Sequence, residues 1–227
     1  MDIRILELIT GAKQAEGLTV IIDVFRAFTL EAYMFAKGVR ETHPIGGLEE
    51  AFQLKREHPD WLLSGERGGA KVEGCDFGNS PYDLRNMELK DRTIIHSTSA
   101  GTQGIVNAVF AEEIVTGSLV NADAVAAYIR MKQPERVSIV AMGNAGVTRA
   151  DEDLICAEYI RAKILGEAYD LDAADRRLHQ AAAHFYDPAK TQYPAEDVPL
   201  CTEIGIFPFV IRVTEENGIW TGRKISL

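Results

Sequence analysis

The densest chemistry in the chain lies between Gly65 and Pro81. Glu66, Arg67, Lys71, Asp76 and the pair Asn79–Ser80 sit there among five glycines. The stretch has almost no apolar periodicity, so neither a core helix nor a long strand fits it. Glycine-dense, charged loops bring backbone amides close to a ligand. Three more polar groups follow short apolar runs: Asp23 with Arg26, the hydroxyl cluster Thr98–Ser99–Thr102, and Asn144 through Asp153. Carboxylates without clustered His or Cys favour a hard cation such as Mg²⁺. Arginines and helix N-termini suit a phosphate or similar oxyanion. The combination points to metal-assisted phosphoryl chemistry.

These residues need a scaffold that gathers them. Leu18–Ile22, Arg92–His96 and Val137–Met142 are β-branched, apolar runs that read as buried strands. Trp61–Ser64 is a shorter one, which places Glu66 and Arg67 just past its end. Each is followed by a polar turn and then a helical pattern, over Thr29–Lys37, Thr102–Phe110 and Arg149–Gly166 for example. Parallel strands would then deliver Asp23, Glu66, Thr98 and Asp153 to one sheet edge, where ligands bind in open α/β folds. Structural roles compete with this at every position. Asp23 could simply cap the next helix, Thr148 with Asp151 reads as a capping box, and Glu152 and Asp153 suit a helix's first turn. Asn121 reads as the N-cap of a helix to Met131. Glu215–Gly218 signals a C-terminal hairpin. The expected fold is a three-layer α/β/α domain spanning 1–227, or two tightly packed α/β halves, with a mixed, largely parallel sheet.

Composition narrows the partners. The 227 residues carry a formal net charge of −10, with 46% apolar and 26% charged residues. That balance is globular and argues against nucleic acid or an anionic membrane. Three scattered cysteines form no disulfide or CxxC pattern. Cys75 is either reactive in its polar loop or a small buried residue. The five histidines lack metal spacing, and His96 alone falls near the proposed edge. With no leader pattern or apolar run of spanning length at hand, a cytoplasmic location is expected. A homo-oligomer is compatible with the sequence.

Ile22–Ala27, Gly65–Gly69, Asp76–Pro81 and the Thr98–Thr102 loop resemble the 2-phosphosulfolactate phosphatase family in order and spacing. Gly117–Ser118 with Asn121–Ala122, and Glu152–Asp153 with Cys156–Ala157, look like its later motifs. The resemblance implies a Mg²⁺-dependent phosphatase that releases phosphate from 2-phosphosulfolactate, a step toward coenzyme M. It further implies Asp23, Glu66 and Asp153 as metal ligands, and Arg26 and Arg67 as clamps for phosphate or for the substrate's sulfonate and carboxylate. Asn79, Ser80, Thr98, Ser99, Gly101 and Thr102 would line the same pocket. Either a metal-activated water or Asp23 itself attacks phosphorus. Phe25 stands where the haloacid dehalogenase pattern has a second Asp, which disfavours that mechanism. Phe28 and Ala100 depart from the family pattern. They leave room for a non-catalytic anion-binding homologue, or for a phosphatase of a different phospho-acid.

Overall fold

The computed structural model describes residues 1–227. Ten strands form one sheet in the order β1-β8-β2-β7-β9-β10-β3-β6-β4-β5. They are β1 (Asp2–Glu7), β2 (Gly17–Ile22), β3 (Glu41–Pro44), β4 (Leu62–Arg67), β5 (Ala70–Lys71), β6 (Thr93–Ser97), β7 (Ala111–Gly117), β8 (Arg136–Ala141), β9 (Phe209–Glu216) and β10 (Ile219–Ser226). Strands β1, β8, β2 and β7 run parallel, as do β3, β6 and β4. The antiparallel hairpin β9–β10 joins these two parallel blocks, pairing with β7 on one side and β3 on the other. The C-terminal turn Asn217–Gly218, with both residues at positive φ, therefore closes the centre of the sheet, not its rim.

Every residue of β2 is buried, which is what a continuous apolar run does between two parallel neighbours. Its residues alternate between two cores. Leu18, Val20 and Ile22 face α5 (Ala122–Lys132), α6 (Asp151–Leu165) and α7 (Leu171–Ala181). Ile21 faces α1 (Leu8–Ala12) and α4 (Gly101–Asn107) on the other side. Helix α2 (Ala27–Ala36) follows β2 directly. Helix α3 (Leu48–Glu57) packs by Ala51 and Leu54 on β4 and β6, and α8 (Asp197–Thr202) packs near the 3-10 turn Pro81–Asn86. Helices on both faces of a mixed, largely parallel sheet make the α/β architecture expected. No helix is long and apolar enough to cross a membrane.

Three local features differ from the sequence reading. Strand β4 continues through Arg67, so Glu66 and Arg67 end the strand instead of following it. The Asn121 side chain points back, its Oδ1 accepting from the Ser118 amide at 3.0 Å, and does not cap α5. Helix α6 begins at Asp151, so its N-cap is Ala150, which has no side-chain acceptor, and the expected Thr148 box does not form.

A cleft built from amide-tied carboxylates

Asp23 leaves the end of β2 beside the end of β8, and the loop that follows β6, a strand of the oppositely running block, meets it there. It is buried, and both its oxygens are occupied: Oδ1 accepts from Ala27 N–H at 3.0 Å and Oδ2 from Gly101 N–H at 2.8 Å. Glu66 repeats the pattern. Its Oε1 accepts from Ser99 N–H and its Oε2 from Gly69 N–H, each at 2.7 Å. Asp153 does so again, taking Val24 N–H at 2.7 Å and Gly143 N–H at 2.8 Å. Each carboxylate thus stitches two separate loops together. The anion expected at the Thr98–Thr102 turn is the protein's own: the Ser99 and Gly101 amides serve Glu66 and Asp23. The Thr98 and Thr102 hydroxyls are tied to each other's turn and do not line the cleft.

Two cavities share a wall formed by Asp23, Phe25, Gly143, Asn144 and Tyr193. The inner one, about 70 Å³, adds Arg26, Glu66, Asn79 and Ser99. The outer one, about 590 Å³, adds Asp151, Glu152, Asp153, Arg149, His184 and Lys190. The latter volume falls in the range of small-molecule sites. The first turn of α6 forms part of its wall, with the helix dipole's positive end toward the cavity. Asn79 keeps one polar atom, Oδ1, buried without a partner beside the inner cavity.

Crowding the acids raises their proton affinity. Burial pushes Asp23 up to about 6, with the Glu66 charge adding to it against the pull of the amide bonds. Glu152 is pushed up to about 7 by burial and by the charges of Asp23 and Asp151. Asp153 is raised well above the ordinary carboxylate range, by burial first and then by Asp23 and Glu152. Perturbed carboxyls in a cleft mark candidate functional sites. The donor set is all oxygen, and a divalent cation would replace the protons these acids otherwise hold. No three His, Cys, Asp or Glu side chains converge as a ready-made metal cage. Mg²⁺ does not need one, since it keeps several waters and takes one or two carboxylates with substrate oxygens. Asp23, with Glu66, Glu152 or Asp153, fits that demand.

Both arginines are engaged by protein partners, and only Arg26 lines a cavity. Arg26 is buried, and its Nη1 donates to Asp197 at 2.8 Å and its Nη2 to the Gly69 carbonyl at 2.7 Å. The Phe185 and Tyr193 rings flank the guanidinium. Arg67 donates to the carbonyls of Ser97 and Gly46 and to the Ser97 hydroxyl, and lines neither cavity. Ser80 also turns away, donating to Asp197 at 2.7 Å. Phe28 packs in the apolar cluster with Ala27 and Ile105, so its ring stays out of the cavities, while Ala100 lines the inner one. His96 is fully buried, and burial pushes it down to about 4. Cys75 is buried with Ile45 and Leu63, its thiol pushed up by burial, as a small core residue would be.

Sequence reasoning missed the segment that roofs the cleft. Residues 182–197, a 3-10 turn (Ala182–Tyr186) and then successive tight turns, bring His184, Lys190 and Tyr193 over the acids. Tyr193 donates its hydroxyl to the Gly68 carbonyl at 3.1 Å. No periodicity marks this stretch; its only signal is three aromatics and a Lys in an otherwise polar connection.

A family model described as 2-phosphosulpholactate phosphatase matches residues 3–216. Similar curated proteins bear the name probable 2-phosphosulfolactate phosphatase. One from Bacillus subtilis (strain 168) is 29% identical over 215 residues, 92% of either chain. One from Caldanaerobacter subterraneus subsp. tengcongensis is 33% identical over 219 residues, 90% of either chain. One from Carboxydothermus hydrogenoformans is 43% identical over 130 residues, 57% of this chain and 54% of that protein.

Proposed function

The chain belongs to the 2-phosphosulfolactate phosphatase family, and from that premise we propose that it is a Mg²⁺-dependent phosphomonoesterase turning 2-phosphosulfolactate into sulfolactate and phosphate. The observation carrying the proposal is the gathering of Asp23, Glu66, Glu152 and Asp153 from three separate chain segments around one cleft. Such a concentration of buried acids opposes folding unless it serves a cation. Asp23 and Glu66 would hold the ion at the inner cavity, with Asp153 or Glu152 completing the oxygen set from α6. When bound, Mg²⁺ supplies charge neutralisation on the phosphoryl oxygens and activation of a water.

The chain's own residues do the rest. The paired amides fix each carboxylate's orientation, so no side-chain reorganisation is needed at reaction. Asn79 offers its amide to the inner cavity, and Phe25 and Tyr193 shield that cavity from bulk water. Hydrolysis breaks the phosphorus–oxygen ester bond. Water supplies the new oxygen on phosphorus and the proton of the leaving alcohol. Such a step would serve a route to coenzyme M.

The test is phosphate release from 2-phosphosulfolactate by the purified chain. The proposal requires turnover that EDTA abolishes and added Mg²⁺ restores. Absence of turnover with Mg²⁺ present, in a protein shown to be folded, would leave the anion-binding homologue as the better reading.

A further inference from the structure

Three Lys or Arg side chains line the two cavities: Arg26, Arg149 and Lys190. Arg26 is spent on Asp197, buried against it at 2.8 Å. Arg149 lies on Glu7, at 2.6 Å from its Nε and 2.7 Å from its Nη2. Lys190 alone makes neither an ion pair nor a side-chain hydrogen bond. Two successive turns hold its backbone: its N–H donates to the Asp187 carbonyl and its own carbonyl accepts from Tyr193 N–H, both at 2.9 Å. Tyr193 is in turn fastened to the Gly68 carbonyl, so the ammonium's point of attachment is tied to the glycine turn that carries Glu66.

From this we infer that Lys190 is a specificity-determining residue, which receives the second anionic group of a phosphorylated acid while the phosphoryl group occupies the inner cavity. The inference rests on the phosphatase reading above. The inner cavity, about 70 Å³, is well below the roughly 300 Å³ at which small-molecule sites begin, whereas the outer one, about 590 Å³, is within their range. The inner cavity therefore takes the reacting end of a substrate but not the whole of it. The remainder of a substrate must extend past Asp23 and Tyr193 into the outer cavity. A carboxylate or sulfonate entering there meets Asp151, Glu152 and Asp153, and needs a counter-charge. Asp151 is already neutralised by Arg177 at 2.6 Å, whereas Glu152 and Asp153 have no cationic partner. Lys190 is the one uncommitted positive charge in reach. A four-carbon stem on an exposed turn lets the ammonium follow acids of different length. The device selects phosphate esters of small acids over phosphate esters of uncharged alcohols.

The experiment compares kcat/KM for 2-phosphosulfolactate and phenyl phosphate in wild type, Lys190→Ala and Lys190→Arg, all with Mg²⁺. Lys190 is exposed, so both variants are expected to fold. The expected result is that the preference for the phospho-acid falls at least tenfold in Lys190→Ala, mostly through KM, and largely returns in Lys190→Arg. One charge-assisted hydrogen bond accounts for that factor. Equal losses on both substrates would assign Lys190 to the phosphoryl group and overturn the inference. An unchanged preference would overturn it too. Calorimetry with phosphonoacetate and methylphosphonate, again with Mg²⁺, gives a readout independent of turnover. Wild type is expected to bind phosphonoacetate more tightly and Lys190→Ala to lose that margin. Equal binding of the two phosphonates by wild type would refute the inference even if the enzyme proved inactive.

Discussion

Breaking the Arg26–Asp197 pair tests whether Arg26 is a tie for the cleft roof. The two side chains are 2% and 0% exposed, and Asp197 also accepts from Ser80 Oγ at 2.7 Å and Tyr82 N–H at 3.0 Å. Replacing Asp197 by Ala would strand a buried guanidinium and orphan two further donors. Losing one partner of a buried pair costs about 3–5 kcal/mol. For a chain of this length each kcal/mol is worth about 2–4 °C in Tm, so a fall of roughly 6–20 °C is expected. The pair itself contributes little net stability. Burial raises the Asp197 carboxyl despite the opposing pull of Arg26, which says that desolvation outweighs pairing. The double variant Arg26→Met with Asp197→Leu should therefore lose far less than the two single changes together. Urea unfolding followed by circular dichroism, on both singles and the double, measures this. Singles within about 1 kcal/mol of wild type, or strict additivity in the double, would refute the reasoning.

Two further outcomes follow from buried groups outside the cleft and from its glycine turn. Glu31 is held by the Thr42 and Thr116 hydroxyls at 2.7 and 2.8 Å, and burial raises its carboxyl from 4.5 to about 7. The native state therefore keeps a proton that the unfolded chain has lost between those pH values. Its contribution to stability is full below about pH 4.5 and is lost as pH rises to about 7, a change of about 3 kcal/mol. Glu31→Gln should flatten the pH dependence of unfolding across that window by this amount, and an identical slope in the variant would discredit the assignment. At the turn, Gly68 and Gly69 both have positive φ, but a Cβ on Gly68 would meet nothing within 4 Å, whereas one on Gly69 would fall 2.3 Å from the Tyr193 ring and hydroxyl. Gly68→Ala should cost about 1 kcal/mol from its backbone alone and Gly69→Ala clearly more, since Tyr193 must move. Equal melting temperatures for the two would show that Tyr193 does not sit on this turn.

The strands that carry the site were legible because burial on both faces leaves a continuous β-branched run, as in β2 and β8. Their polar ends were legible for the same reason: Asp23 and Glu66 interrupt or end apolar runs at a defined edge. The partners of the charges were not. Arg26 finds Asp197 across 171 residues and Val24 N–H finds Asp153 across 129, contacts no local pattern encodes. The Thr148 capping box matched in spacing alone, while the acids that follow are drawn into the cleft. The roof at 182–197 was invisible because tight turns have no periodicity to read. What resemblance supplied was the set of carboxylates; what geometry added is that backbone amides, not the two arginines, hold them.

The account rests on Asp23 as the centre of a catalytic cleft, and Asp23→Asn tests that most directly. The amide keeps Asp23's shape and can retain one of its two backbone contacts, so the variant should fold. Phosphate release from 2-phosphosulfolactate with Mg²⁺ should fall by about three orders of magnitude, the scale of losing a preorganised charge at a reacting centre. A folded Asp23→Asn protein that releases phosphate at the wild-type rate would contradict the account.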